Sequence, residues 1–502
     1  MNIELDFSLM IPEFILLGAT LLILVLDAVQ TPQGGRKDGT PHEGGAGNST
    51  VTTIAALGCF GAAAWTALVL WGGGSQVSFG GLFVLDVFGM FVKVLVCVSA
   101  GLALLLSDPW LKNHRLSAAG HHALLLMATA GMMYMLSAGD FVMLFMGLEV
   151  MSIPVYCLAS FLRWEDRSVE AGVKYLVLGS FATAVLLFGM ALIYGWVGLE
   201  TGTGTMNIAA ILKVVAGAES VPGYAVVGGF MILVGLLFKI SAAPFHMWTP
   251  DVYEGAPTAV TAYMSVAVKA VAAAVILRLF GPEILAAFHL EGVLWGVIAL
   301  TVVVGNVMAL AQNNVKRMLA YSSVAHGGYL LMGVLAGTPA GQAGVLFYAV
   351  AYTAANVAAF GILIYLSRQG HDVETFDDLK GLGRVHPFAA IVTTLSMLSL
   401  MGIPPLAGFF GKFQIFAAAI AEGYVILAVI GILTSALSVA YYLRPVVTLY
   451  MADEVAPTRA PESSNLGLMA SLGVATAAIV VIGLLPESYL QLAAESVSVL
   501  GG

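Results

Sequence analysis

The sequence predicts an all-α membrane protein with about fourteen transmembrane helices. Composition is the first reason, because 60% of the 502 residues are hydrophobic and only 10% are charged, whereas a soluble domain carries about 25% charged residues. Apolar runs of about 20 residues recur along the chain, and each is long enough to span roughly 30 Å of hydrocarbon. Backbone groups in lipid must bond within their own segment, so runs of this length are helices rather than barrel strands.

The predicted helices are the apolar runs themselves, and they group into four parts of the chain. In order, the helices lie near 9–28, 51–71, 83–106, 119–137, 141–162, 172–197, 223–247, 256–280, 291–311, 318–336, 341–367, 387–420, 424–449 and 467–486. The predicted parts are 1–118 with three helices, 119–280 and 291–449 with five helices each, and 450–502 with the last helix.

Charges in the loops between these helices give an independent test of the count and predict the orientation. Twelve basic residues fall in odd-numbered loops, whereas only Lys213 falls in an even one. Because basic residues concentrate in cytoplasmic loops, the odd loops are expected in the cytoplasm and both termini on the outer side of a bacterial inner membrane. The basic residues of the odd loops are Arg36, Lys37, Lys112, Arg115, Arg163, Arg167, Lys316, Arg317, Arg368, Lys380, Arg384 and Arg459.

Proline interrupts two of the predicted helices. Pro244 falls in helix seven, and Pro404 and Pro405 fall in helix twelve between glycines. Proline removes a backbone donor and clashes with the preceding turn, and broken helices at membrane depth are typical of transporters. Each broken helix is the fourth of a five-helix unit, and five is odd, so the second unit enters the membrane from the opposite side. We therefore predict two inverted repeats.

Charged side chains inside apolar runs predict the functional residues. Glu149 in helix five, Lys239 in helix seven, Lys269 in helix eight and Lys412 in helix twelve each lie well inside such a run. A charge at the bilayer centre costs a few kcal/mol even on lenient scales. A purely structural cation or ion pair would explain one such residue, but four of them, two beside helix breaks, favour proton transport.

Glu149 and Lys239 are predicted to form a switching pair. Desolvation lowers the pKa of a lysine and a nearby carboxylate raises it again, so changing the carboxylate makes a lysine hold or release its proton. His326 in helix ten is the predicted relay toward Lys412, since histidine titrates near neutral pH, although a hydrogen-bonded core histidine is the plain alternative. Lys174 is either a second partner of Glu149 or a residue of the cytoplasmic face.

Three further ionisable residues in or near the apolar runs keep open roles. Lys93 lies inside helix three, whereas Glu13 and Asp86 lie near helix starts, where a carboxylate often only anchors the helix. The sequence does not decide whether these residues take part in proton transfer.

Several classes of cofactor site have no sequence motif here. Cys59, Cys97 and Cys157 stand far apart inside apolar runs, and none belongs to a CxxC or Cys/His cluster. No GxGxxG follows a strand, and no Walker A motif occurs. We therefore expect neither a cofactor nor a metal on this chain, and no nucleic-acid partner.

Five stretches resemble subunit N of the respiratory NADH:quinone oxidoreductase, complex I, whose mitochondrial counterpart is subunit 2. The resemblance covers nearly the whole chain, and TPDVYEGAP is the most specific part, because PFHxW and SSxxHxG also occur in other antiporter-like subunits. The stretches are LMIPEFILLGATLLILVLD, SVEAGVKYLVLGSFATAVLLFGMALIYG, LLFKISAAPFHMWTPDVYEGAPTAVTAYMSVAVKA, NVKRMLAYSSVAHGGYLLMGV and LSMLSLMGIPPLAGFFGKFQIF.

This resemblance implies a proton-translocating membrane subunit of a redox enzyme. It implies proton-transfer roles for Glu149, Lys239, Lys269 and Lys412, and it places NADH, FMN, iron–sulfur clusters and quinone on other subunits. The expected partners are other membrane subunits of complex I, membrane lipids and protons. The alternatives are a subunit of a multisubunit cation/proton antiporter and a structural membrane anchor that conducts nothing.

Overall fold

The computed structural model describes residues 5–30, 47–368, 371–452 and 465–500, and nearly all of them are helical. Every predicted membrane helix coincides with at least one observed helix, which confirms the all-α membrane fold. Three of the basic residues used to orient the loops, Arg36, Lys37 and Arg459, lie outside the described residues.

The N-terminal part consists of three helices and a short hairpin that precedes the third. Asp86 begins the third helix, because its carboxylate accepts a hydrogen bond of 2.7 Å from the Gly89 amide, as helix-capping residues do. The elements are α1 (Ile11–Gln30), α2 (Gly47–Trp65), the antiparallel strands β1 (Gln76–Ser78) and β2 (Phe83–Leu85), and α3 (Val87–Asn113).

The first predicted repeat contains eight helices instead of the five predicted spans. The additional helices are short and lie in the loops or beside the interrupted span. They are α4 (Ala118–Leu136), α5 (Phe141–Ala159), α6 (Asp166–Thr201), α7 (Ile208–Gly217), α8 (Gly223–Ile240), α9 (Trp248–Gly255), α10 (Thr258–Tyr263) and α11 (Lys269–Leu279). A π-helical turn at Met264–Val268 joins α10 to α11, so the two form one span.

The second predicted repeat and the C-terminal part follow after a short connecting helix. The helices are α12 (Pro282–Ala287), α13 (Glu291–Leu310), α14 (Val315–Ala336), α15 (Pro339–Leu366), α16 (Leu382–Val385), α17 (Pro387–Met401), α18 (Ala407–Ala421), α19 (Val425–Met451), α20 (Leu466–Leu484) and α21 (Pro486–Val497). The remaining short helical turns are Phe7–Met10, Thr66–Leu70, Trp71–Gly73, Phe79–Gly81, Asp377–Leu379 and Ser498–Leu500.

Five short helices of the described chain lie outside the predicted spans. They are α7, between the sixth and seventh predicted helices, α9, α12, α16 and α21, after the last predicted span. With 10 residues, α7 is too short to span a bilayer, and α21 carries too many polar side chains to be recognised as a span.

The described helices give a smaller number of spans than the sequence predicts. Twelve described helices are long and apolar enough to cross a membrane, or thirteen if one bent pair counts as a span. The predicted span outside this set is α4, whose 19 residues include the adjacent pair His121 and His122. The total of fourteen and the division into inverted repeats remain predictions.

The first helix break lies between α8 and α9. Ser241 ends α8 in a left-handed conformation with φ of 65°, and the backbone then runs without regular structure to Trp248. Side chains bond the freed backbone groups: the Thr301 hydroxyl accepts from the Ala243 amide at 2.9 Å, and the Trp248 indole donates to the Phe238 carbonyl at 3.1 Å. The irregular backbone is therefore satisfied by protein.

The second break lies between α17 and α18. Gly402 ends α17 with φ of 85°, a conformation that is easy for glycine alone. The Ser399 hydroxyl accepts a hydrogen bond of 3.2 Å from the Gly408 amide across the break. Both predicted interruptions are thus present in the described chain.

Candidate functional site

The predicted cationic residues lie in the interior of the helix bundle. Lys239, Lys269, His326 and Lys412 are 2%, 1%, 1% and 4% exposed. The helices of Lys269 and His326 are the most enclosed of the chain, since the most apolar stretch of each is 100% buried. Only polar groups of neighbouring helices can therefore bind these side chains.

Lys239, at the end of α8, binds hydroxyl groups of α5. Its ammonium donates to Ser152 Oγ at 2.8 Å and to Tyr156 OH at 3.2 Å. It also lies 5.2 Å from the ring centre of Tyr156 and 5.7 Å from that of Tyr175, within the range of cation–π attraction. Neutral groups therefore hold this cation.

The predicted contact between Glu149 and Lys239 is not formed. Glu149 lies one helical turn before Ser152, is partly exposed, and forms no ion pair within the described residues. It belongs to the same stripe of α5 as the exposed Met146 and Ile153, each 54% exposed. Helix α5 is apolar on all sides, so its residue pattern does not indicate which side faces outward.

Lys174 binds two other carboxylates instead of Glu149. Its ammonium lies 2.7 Å from Glu170 on the same helix and 2.7 Å from Asp251 on α9. In this structure Lys174 thus belongs to an ion-pair group near the start of α6, and its place at the cytoplasmic face stays a prediction.

Lys174 is part of a larger ion-pair cluster, here called the loop-side cluster. Arg317 at the start of α14 binds Asp251 at 2.9 Å and Glu254 at 2.7 Å. Asp251 and Glu254 belong to TPDVYEGAP, the stretch that carries the most specific part of the resemblance. The cluster therefore joins the short helix α9 to both predicted repeats.

A partly buried carboxylate, Glu374, completes the loop-side cluster. Glu374 binds Lys316 at 2.9 Å and Arg167 at 3.3 Å. The pKa of Glu374 lies below its usual value: burial alone would raise it, but the charge and hydrogen bond of Lys316 outweigh that effect. The pKa of Asp251 is lowered too, because hydrogen bonds from Lys174 and Arg317 outweigh its burial. Both carboxylates therefore stay ionised near neutral pH.

Lys269 connects the first predicted repeat to the helix of His326. Its ammonium donates to the backbone carbonyl of Ser323 on α14. Ser323 is one helical turn before His326, so both residues lie on the same side of α14.

His326 lies between two tyrosines. Its Nδ1 is hydrogen-bonded to Tyr348 OH, and its Nε2 lies 2.7 Å from Tyr442 OH. A neutral imidazole donates from one nitrogen and accepts at the other. Each nitrogen of His326 thus has a hydroxyl partner that can exchange a proton with it.

Lys412 binds oxygen atoms released by the second helix break. Its ammonium donates to the carbonyls of Leu400 at 2.8 Å and Met401 at 3.0 Å, and to Ser435 Oγ at 2.9 Å. It also lies 5.0 Å from the ring centre of Tyr329. Lys412 therefore serves as a cap for the end of α17.

Polar groups fill the space between His326 and Lys412. The Tyr329 hydroxyl accepts from the Asn306 amide at 3.1 Å, and Asn306 accepts from Tyr441 OH at 2.9 Å. The rings of Tyr441 and Tyr442 are 4.4 Å apart, and Tyr442 contacts His326. Sequence analysis missed these residues, because tyrosine in an apolar run looks like a hydrophobic residue.

The residues with open roles form two ion pairs in the N-terminal part. Glu13 on α1 and Lys93 on α3 lie 2.6 Å apart, and both side chains are 0% exposed. Asp86 caps α3 and also binds Arg278 of α11 at 2.8 Å. Each charge is neutralised by its partner, so these pairs join helices.

Comparison with known proteins gives three kinds of similarity. Residues 138–438 match the family described as NADH:quinone oxidoreductase/Mrp antiporter, TM. "NADH-quinone oxidoreductase subunit N" of Trichlorobacter lovleyi is 43% identical over 87% of this chain and 89% of its own length. The protein of that name from Paramagnetospirillum magneticum is 38% identical over 99% and 98%.

Solved structures share the fold. A chain of respiratory complex I from Thermus thermophilus with bound aureothin has a TM-score of 0.79 and 32% identity, over 96% of this chain and 99% of that one. A chain of the Mrp complex from Dietzia has a TM-score of 0.78 at 22% identity, over 99% and 98%, which shows the fold alone.

Proposed function

This chain belongs to the NADH:quinone oxidoreductase/Mrp antiporter membrane family, among the subunit N proteins, and we propose that Lys239, Lys269, His326 and Lys412 carry its protons. It is a proton-translocating membrane subunit of NADH:quinone oxidoreductase, with other membrane subunits as its partners. The observation that carries the residue assignment is the series of polar contacts from Lys269 through the α14 helix and His326 toward Lys412.

Each lysine of the series is bound by neutral oxygen atoms. Within the described residues, none of Lys239, Lys269 and Lys412 forms an ion pair. A lysine without a carboxylate partner can lose its proton without leaving an unpaired negative charge in a medium of low dielectric constant. This arrangement favours a role as proton carriers over a role as permanent ion pairs between helices.

His326 serves as the relay in the second predicted repeat. In a relay step, one tyrosine hydroxyl passes a proton to one ring nitrogen while the other ring nitrogen passes its own proton to the second hydroxyl. Each hydroxyl takes up or gives up a second proton on its far side at the same time, so the imidazole and both tyrosines end neutral. Tyr348 and Tyr442 are in place for these two steps. The Tyr441, Asn306 and Tyr329 groups extend the hydrogen bonds toward Lys412.

We assign Glu149 the role of electrostatic input. Its carboxylate is one helical turn from Ser152, which binds Lys239, and unit charges interact strongly at short range inside a membrane protein. Its outward-facing stripe is apolar, where an ionised carboxylate is costly. A change in the surroundings of that stripe therefore alters the charge of Glu149. The altered charge in turn changes how strongly Lys239 binds its proton.

The other predictions for the chain belong to the same assignment. NADH, FMN, iron–sulfur clusters and quinone lie on other subunits, since proton transfer along the series requires none of them. The odd loops face the cytoplasm of a bacterium and both termini face the outside of its inner membrane. Residues of predicted loops five, seven, nine and eleven meet in the loop-side cluster, which supports a common side for them.

Two measurements test this assignment. Tags at the C-terminus and in the loop 107–118 should lie on opposite faces of the membrane; both on one face would mean a miscounted helix. Purification through the C-terminal tag should bring down NADH oxidation with a quinone analogue. Recovery of cation/proton exchange without that redox activity would favour the antiporter alternative.

A further inference from the structure

A pair of buried histidines lies outside the series just described. His121 and His122, near the start of α4, are both 0% exposed, and their Nδ1 atoms are 3.1 Å apart. One of these nitrogens must donate and the other accept, so the pair shares a proton between its rings. The two histidines precede the segment 138–438 that matches the family.

A hydrogen-bonded chain leads from this pair to a carboxylate. His122 Nε2 lies 2.8 Å from Thr52 Oγ1 on α2, and Thr52 Oγ1 lies 3.3 Å from Asp108 Oδ1 on α3. The other Asp108 oxygen accepts from Lys112 at 2.8 Å. A hydroxyl both accepts and donates, so Thr52 can pass a proton between its two neighbours.

One end of this series of hydrogen bonds lies in a cavity. The other end is a ring nitrogen with no hydrogen-bond partner in the described residues. A cavity of about 600 Å³ between α2, α3 and α20 is lined by Thr52, Asp108, Lys112 and Asn465. The Lys112 side chain is 37% exposed, so one end of the cavity lies at the surface of the described residues, on the side of the predicted odd loops. His121 Nε2 is buried without a hydrogen-bond partner in the described part of the chain.

We propose that His121 and His122 form a second proton-binding site, which takes up one proton from the cavity through Asp108 and Thr52. The Thr52 hydroxyl gives its proton to His122 Nε2 and takes the proton of the protonated Asp108 carboxyl group. The exchange leaves Asp108 ionised, Thr52 unchanged and one positive charge shared by the two rings.

Charges on the surrounding helices act on this site in both directions. Asp108 on α3 and Asp27 on α1, which accepts from Ser117 just before α4 at 3.4 Å, favour a protonated pair. Lys112 on α3 and Arg163 after α5, which lines a groove with Gly120, oppose it. Two negative and two positive charges thus surround the site.

The test is deuterium exchange at the imidazole C2 position, measured by mass spectrometry on the intact complex between pH 5 and 9. This exchange proceeds through the protonated ring, so it reports both proton uptake and contact with water. We expect His121 and His122 to exchange with a sigmoidal dependence on pH. Absence of exchange from both rings at every pH would refute the proton-binding site and would mean that the two histidines only pack in the protein interior.

Variants of Thr52 test the route. Thr52→Val keeps the shape without the hydroxyl and should slow exchange of the pair at least tenfold, whereas Thr52→Ser should keep the wild-type rate. The exposed His371 serves as the internal reference and should not change. Equal rates in the Val and Ser variants would refute the route through Thr52.

Discussion

The two helix breaks differ in what their lysines bind. At the first break, the ends of the helices are bonded by Trp248 and Thr301, and Lys239 binds only side-chain hydroxyls of another helix. At the second break, Lys412 itself binds the carbonyls of Leu400 and Met401 at the broken end.

This difference separates two functions that a buried lysine can have. Lys239 can be removed without leaving backbone groups unbonded, and Ser152 keeps its hydrogen bond of 2.6 Å to Leu148. Removing Lys412 leaves two carbonyls without this donor in the membrane interior. Lys412 is therefore a cap of the backbone in addition to its proposed role as proton carrier, whereas Lys239 caps no backbone carbonyl.

Replacing Lys412 or Lys239 with alanine should give the largest effects and tests whether the two lysines differ in function. Lys412→Ala should destabilise the assembled complex, because an unbonded buried carbonyl costs about 1–3 kcal/mol, and should abolish pumping. Lys239→Ala should abolish pumping while assembly stays near normal. Native gels and pumping in membrane vesicles give both readouts. Equal loss of assembled complex in the two variants would contradict the assigned difference.

Glu149→Gln should have the next largest effect. The substitution keeps the shape of the side chain and removes its charge. At an effective dielectric constant near 20, nearby unit charges interact with a few kcal/mol, and each 1.4 kcal/mol is about tenfold in rate. Pumping should therefore fall sharply while the complex assembles. Glu149→Asp is the matched control and should retain more pumping. Full pumping in the Gln variant would remove Glu149 from the mechanism.

Sequence reasoning found the helices, their breaks and the buried cations, because each depends on local residue type. It did not find the partners of those cations. Glu149 is near Lys239 in the predicted order of helices, but it faces outward, since the rotation of a uniformly apolar helix depends on packing alone. Tyr348 and Tyr442 were missed for the same reason: only the packed bundle brings their hydroxyls to His326.

Tyr442→Phe tests the proposed relay through His326 in the second predicted repeat. It removes the hydrogen bonds of the Tyr442 hydroxyl to His326 and Ser322 and keeps the ring. Each bond is worth about 0.5–1.5 kcal/mol, so the pumping rate should fall about fivefold or more. Tyr365→Phe, at a tyrosine away from His326, is the control. Stopped-flow pumping assays would measure both, and an unaltered rate in Tyr442→Phe would argue against the relay.

Glu374→Gln should have the smallest effect and no direct effect on pumping. The pKa of Glu374 is lowered in the folded chain, so its contribution to stability is present above its unfolded pKa, about 4.3, and is lost as the pH falls through the lower folded value. At pH 7 the variant should melt a few degrees below the wild type, and the gap should shrink below about pH 4. A gap that widens on acidification would reverse the assigned sign.

Lys412→Arg tests most directly whether these lysines carry protons. Arginine can donate to the carbonyls of Leu400 and Met401, so it should restore the assembly that Lys412→Ala loses. Guanidinium stays protonated in proteins, so it cannot pass a proton on. NADH oxidation and proton pumping, measured side by side in membranes, should show an assembled complex whose pumping is lost and whose turnover is slowed. Near-normal pumping in Lys412→Arg would contradict the account and leave Lys412 as a cap alone.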